Sequence, residues 1–195
     1  MTLHDLCMYS MNDFEKQVWD NLIADIKNRI FEADIPDVPL NIIEHQVDNN
    51  TAICIPYQRY KGYHRMEGFY DIAMGDRGGE NELLLTKDGE KAKNHLLEDI
   101  AHDISFEYTI STPEYKSGLN IPIYERDPRD DYRKDWFALL LQIEKQVLKY
   151  EKFRVEVIKY EKCMNHHFKS QFWVFDENLM KFRYNEGENS SAVKL

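Results

Sequence analysis

Near Asp88 the apolar pattern of this chain changes period, and that change limits the fold more than any other feature of the sequence. Before it, Thr51–Tyr57, Tyr63–Met74 and Glu82–Thr86 are rich in β-branched and aromatic residues and read as short strands. After it, Ala92, Leu96, Ile100, Ile104 and Tyr108 recur at helical spacing, flanked by Leu97 and Ala101. A segment patterned for one period cannot bury its apolar face in the other. The expected fold is therefore α+β, a small antiparallel β-sheet (meander) packed with about four α-helices. The chain of 195 residues is long enough for a single domain over 1–195, with a frayed tail from about residue 186.

The local signals place the elements. A first helix is predicted over Asp13–Phe31, capped by Asn12 with Glu15 as its reciprocal partner. Phe14, Val18, Leu22, Ile26 and Ile30 are expected to form its buried stripe. Two prolines make Asp34–Pro39 a connection. Gly68 marks a candidate bulge, and Gly75–Gly79 reads as a turn. The second helix is predicted from Asp88 to Tyr108, and Ser111–Pro122 as a loop. Asp127 is predicted to cap a third helix, with Pro128 at N1 and the acids Asp130 and Asp131 at its positive end. Its apolar rows, Trp136/Leu140/Ile143/Val147 and Phe137/Leu141/Leu148, predict a central helix with Trp136, Leu140 and Ile143 in the core. Phe153–His167 is expected to continue helically after a bend near Tyr150. Phe172–Phe175 and Met180–Tyr184 are expected to pair as a hairpin.

Composition narrows the functions. The net charge is −10, and the first fifty residues hold ten acids against three bases. That balance disfavours a nucleic-acid partner, which requires a basic face against phosphate. It suits a basic partner instead. No apolar run reaches the roughly 18 residues of a membrane span, so no membrane is expected as a partner. No secretory signal is visible, and Cys7, Cys54 and Cys163 lack the spacing of a disulfide frame or zinc site; they read as reduced thiols of a cytoplasmic protein. Oligomeric state is left open.

No Walker loop, dinucleotide fingerprint, zincin motif or nucleophile elbow is present, so no catalytic residue and no cofactor is expected. Opposite the apolar stripe of the second helix lie His95, Asp99, His102 and Phe106. His95, Asp99 and His102 share one face, as the ligands of a metal-dependent hydrolase would, but three residues are an incomplete set and no metal is assigned. Phe106 among charged neighbours, with Glu98 nearby, reads better as the anchor of a protein interface, with Asp13, Asp20 and Asp25 supplying long-range attraction. Arg126, Arg129 and Arg133 beside Asp127, Asp130 and Asp131 read as capping and ion pairs within one turn rather than an anion site.

Several short motifs also occur in a fixed order. Asp76-Arg77-Gly78 precedes Thr86-x-Asp88. Glu98-Asp99 follows, Tyr108 ends the helix, and Asp131-Tyr132-Arg133-Lys134 with Phe137 opens the next. Over residues 60–165 this arrangement resembles the Immunity protein 63 family of bacterial polymorphic toxin systems. Asp76 stands where that pattern has Glu, Thr109 where it has Glu, and Lys134 where it has Arg. The resemblance implies an antidote to a cognate secreted toxin, acting by stoichiometric binding without catalysis. Asp76, Arg77, Gly78, Asp88, Tyr108, Asp131, Arg133 and Phe137 carry the resemblance, and a turn and helix starts suggest that they hold the fold. The alternatives are a metal-dependent hydrolase using His95, Asp99 and His102, or a generic protein-binding adaptor.

Overall fold

The computed structural model describes residues 13–35, 37–52, 54–56, 59–61, 64–66, 70–76, 79–121, 127–166 and 172–185; from residue 52 to 85 the description is of the backbone. The predicted cap Asn12, the candidate bulge Gly68 and the tail from residue 186 lie outside it. The architecture is α+β. The chain divides into two compact units, residues 1–101 and 102–195.

The first unit opens with α1 (Asp13–Glu32) and α2 (Leu40–Ala52), which pack together. The extent of α1 agrees with the sequence, but its buried face does not. Ile26 and Ile30 are fully buried with Trp19, whereas Phe14 is 74% exposed and Val18 and Leu22 are half-buried. A step of four residues turns about 400°, so a row drawn every fourth residue drifts about 40° per step. Phe14 therefore ends up about 160° around the helix from Ile30. Trp19 lies eleven residues before Ile30, almost directly in line with it.

Helix α2 replaces part of what reads as a strand from Thr51. The carbonyl of Pro39 accepts from the amides of Ile42 (2.9 Å) and Ile43 (3.4 Å), starting the first turn. Ile43, Val47 and Thr51 then face inward at four-residue spacing. The Thr51 hydroxyl donates to the Val47 carbonyl at 2.8 Å, which satisfies a buried hydroxyl inside a helix. Among the described residues the strand is Cys54–Pro56 (β1).

The predicted strand Tyr63–Met74 is broken in two. Arg59–Lys61 (β2) and His64–Met66 (β3) form a hairpin of their own, inserted before Tyr70–Asp76 (β4). Gly79–Thr86 (β5) completes a three-stranded antiparallel sheet of order β1-β4-β5. Pro56 lies in an edge strand, where a missing amide is tolerated. Asp76 pairs with Gly79, so Gly75, Asp76 and Gly79 of the expected turn lie in strands, while Arg77 and Gly78 fall outside the described residues. Ile72 pairs with Leu84 and Ala73 with Glu82, which leaves Leu83 as the extra residue of a bulge in β5.

Helix α3 spans Gly89–Ser111 and carries its first thirteen residues in this unit. Asp88 caps it: Oδ1 accepts from the amides of Glu90 (2.9 Å) and Lys91 (3.2 Å), while the Thr86 hydroxyl oxygen accepts from the Asp88 amide. Ala92, Leu96, Leu97, Ile100 and Ala101 are fully buried, as the periodicity requires. Lys93 is buried with them, its side chain 8% exposed, and its ammonium donates to Asp25 of α1 (2.9 Å) and to Glu90 (2.5 Å). The bond from Lys93 holds the Asp25 carboxyl below its usual pKa against opposing desolvation. Burial opposes the Lys93 charge, but its bonds to Asp25 and Glu90 outweigh this and raise its pKa. Stability from Asp25 is thus present above its unfolded pKa and is lost as pH falls through the depressed folded value. Stability from Lys93 is present below its unfolded pKa and is lost as pH rises through the raised one. Asp25→Asn is expected to cost about 1 kcal/mol at pH 7, discounted for the partial exposure of Asp25. In thermal melts the gap to the wild type should narrow towards pH 3; a gap independent of pH would sink the assignment.

The second unit holds the rest of α3, then α4 (Pro113–Gly118), a 3-10 turn (Pro128–Asp130), α5 (Arg133–Val147), α6 (Tyr150–Met164) and the hairpin β6 (Trp173–Asp176) and β7 (Lys181–Tyr184). The predicted loop Ser111–Pro122 is a helix in part, because the Thr112 hydroxyl accepts from the Tyr115 amide and Pro113 occupies the first turn. Asp127 caps only the 3-10 turn; the chain re-enters a helix after Asp131, whose carboxylate accepts from the Arg133 amide at 3.0 Å. Two extended residues, Leu148 and Lys149, separate α5 from α6.

In the core expected around Trp136, Leu140 and Ile143, the latter two are fully buried but Trp136 is half-buried. Tyr108 is half-buried too, and Ser105 and Thr109 take the inward positions, their hydroxyls donating to the carbonyls of His102 (2.9 Å) and Ser105 (2.8 Å). The hairpin follows strict alternation. Trp173, Phe175 and Phe182 are buried while Val174, Lys181 and Arg183 face out. It packs on the last two helices, β6 on α6 and β7 on α5.

Candidate partner-binding site

The polar face of α3 is where the sequence points. In the first unit, His95 Nε2 lies 3.5 Å from Asp99 Oδ2. In the second unit, His102 Nδ1 lies 3.1 Å from Asp103 Oδ1. Each imidazole thus has its own aspartate, and among the described residues no group of three His, Cys, Asp or Glu side chains is arranged to hold a metal ion. Glu98 is half-buried beside them.

The Phe106 ring lies on Trp136 of α5 with centroids 4.8 Å apart, and His102 stacks near-parallel to it at 6.4 Å and meets Trp136 edge-on at 5.2 Å. The contacts continue inward from Trp136 to Phe137 (4.8 Å) and from Phe137 to Tyr160 of α6 (4.7 Å). Phe106, 36% exposed, is the outer end of this ladder; Phe137 and Tyr160, both buried, are its inner end. Burial and the negative charge of Glu144 push the Tyr160 phenol well above its usual range. An exposed aromatic ring backed by packed rings loses little freedom when a partner covers it, which is the economy of an interface anchor.

The remaining sequence-derived residues separate by location. Asp13 and Asp20 are exposed on α1. Asp25 is bound to Lys93 and Arg29. Of the motif residues, Asp88 is a helix cap, Phe137 is a buried rung, and Asp76 sits at the end of β4. The Arg133 fork grips Asp131, Nη2 to Oδ2 at 2.5 Å and Nε to Oδ2 at 2.9 Å. Arg77 and Gly78 lie outside the described residues.

Two buried acids escaped the sequence reading. Glu144 of α5 and Glu156 of α6 are almost fully enclosed. Glu156 accepts from Lys159 at 2.6 Å and lies 3.5 Å from Lys152. A signal existed: Glu144 stands in the middle of the arc Leu140, Leu141, Ile143, Val147, and Glu156 next to Val157 in the row Phe153, Val157, Tyr160, Met164.

No family model, curated protein or solved structure matches this chain. Among the described residues no helix is long and apolar enough to cross a membrane.

Proposed function

We propose that the chain is a cytoplasmic immunity protein that neutralises a basic, secreted bacterial toxin by stoichiometric binding, and that the outer end of the aromatic ladder is its contact centre. The observation that carries this reading is Phe106: an exposed ring, backed by Trp136 and His102, with Asp103 in the same turn. The net charge of −10 supports it, since complementary charge speeds capture of a basic partner. The resemblance of its ordered short motifs to the Immunity protein 63 pattern supports it as well. A central anchor governs dissociation, whereas peripheral charge governs association and its salt dependence.

The test is capture of the product of the adjacent gene by the purified chain, followed by kinetics. Phe106→Ala is expected to raise the dissociation rate about tenfold or more while leaving association nearly unchanged. Neutralising the exposed Asp13 and Asp20 is expected to slow association and flatten its salt dependence. Failure of the adjacent product to bind, or wild-type dissociation from Phe106→Ala at a lowered melting temperature, would reject the assignment.

A further inference from the structure

One corner of the second unit brings together two chemistries that recognise a single kind of group. Phe106 is exposed, and its ring is held by Trp136 and by the near-parallel ring of His102, whose centroid lies 6.4 Å away. Asp103 and Glu107 lie one turn apart on α3, and Asp103 falls three residues before Phe106, so a carboxylate edge adjoins the aromatic surface. We infer that this corner is a platform for an arginine side chain of the partner, its guanidinium stacked on the exposed part of Phe106 and hydrogen-bonded to the Asp103/Glu107 edge. The inference rests on the reading of the chain as a binder of a basic protein and names the group it grips.

The alternatives fit less well. A purely apolar side chain would desolvate Asp103 and Glu107 without replacing their hydrogen bonds. A nucleobase would stack equally well, but its phosphates would meet two carboxylates and a chain of charge −10. An ammonium is compact and strongly hydrated, whereas a guanidinium is flat, weakly hydrated and offers five donors in a plane. It can therefore lie on a ring and reach a carboxylate at once. Asp103 shares its carboxylate with His102, and a carboxylate offers about four acceptor sites.

The probe is a labelled hexa-arginine peptide, compared with hexa-citrulline of the same length and shape, titrated into the full chain at low salt. The wild type is expected to bind hexa-arginine at least about tenfold tighter than hexa-citrulline, and Phe106→Leu, which keeps an apolar side chain but removes the π face, to lose about fivefold. The Asp103→Asn/Glu107→Gln double variant, two half-buried helix-surface positions, is expected to lose as much and carries the test if Phe106→Leu folds poorly. Equal binding of hexa-arginine by the wild type and both variants would mean diffuse acidic attraction and overturn the platform. Equal binding of the two peptides, or none of either, would overturn it too. If the adjacent gene product is not captured but the peptide discrimination holds, the toxin reading falls and the platform stands. If capture succeeds while peptide binding ignores Phe106 and the Asp103/Glu107 edge, the platform alone falls.

Discussion

Phe153→Ala is expected to lower the unfolding free energy by about 3–5 kcal/mol, the range of large aromatic truncations in a closed core. Phe153 has no exposed surface and sits in the first turn of α6, directly after the two extended residues that end α5. Its neighbours in the inward row, Val157, Tyr160 and Met164, are held by the same helix and cannot collapse into the space. Trp136→Ala is the useful contrast. Trp136 is the larger side chain, and its sequence position in an apolar row puts it in the core. Yet it is half-buried, and among the described residues its enclosed indole N–H has no hydrogen-bond acceptor. Truncation removes less buried area and relieves an unsatisfied donor, which partly offsets the loss. About 1–2 kcal/mol is expected, well short of the Phe153 cost. Urea denaturation followed by far-ultraviolet circular dichroism measures both. Equal costs would mean that Trp136 is a core residue after all and that Phe106 is backed by the core rather than by a surface ladder.

What the sequence made legible follows from where local signals act alone. The extent of α1 and the inward residues of α3 as far as Ile104 came through because a long apolar repeat at helical spacing marks a helix, whereas the row drawn every fourth residue drifted off the buried face of α1 and Tyr108 off that of α3. The C-terminal hairpin came through because its alternation is strict and its turn is polar, Asp176 accepting from the amides of Asn178 and Leu179. Where two signals competed, the sequence misled. Thr51 is β-branched and reads as strand, but the preceding Ile43/Val47 spacing gives it a helical neighbour to bond. Tyr63–Met74 looks continuous, yet His64–Met66 pairs with Arg59–Lys61 and Tyr70–Asp76 with Gly79–Thr86, and which partner each stretch takes is not written in its own alternation. The site was half visible. Helical spacing alone puts His95, Asp99, His102 and Phe106 on one face, but contact with Trp136 is a matter of how α3 and α5 meet, which no local pattern states. The buried acids Glu144 and Glu156 were hidden for the opposite reason. A charge inside an apolar arc is discounted until its partner, Lys159 in the case of Glu156, is located.

Asn165 is the second position where a single change should be felt widely. It ends α6 and uses all of its side-chain bonding capacity there. Nδ2 donates to the carbonyls of Glu161 and Trp173, both at 2.8 Å, and Oδ1 accepts from the amides of Phe172 and Trp173, both at 2.9 Å. The side chain thus stands in for a strand partner at the start of β6, fastening the hairpin to the helix before it. Trp173 is buried, so its backbone groups have no ready access to water once that partner is gone. Each unpaired buried group costs about 1–3 kcal/mol, and some relaxation is certain at a strand end, so Asn165→Ala is expected to cost about 2–4 kcal/mol. Asn165→Asp separates hydrogen bonding from size. It keeps the two acceptor bonds, loses both donors and sets a negative charge against two carbonyl oxygens, so at pH 7 it should lose nearly as much as the alanine variant. Hydrogen–deuterium exchange locates the damage. The amides of residues 172–176 and 181–185 should lose protection while those of α1 and α2 keep theirs, because the bonds removed all lie in the second unit. Unchanged protection in the hairpin of Asn165→Ala would show that packing of Trp173, Phe175 and Phe182 alone holds it, and that the four-bond clamp is incidental.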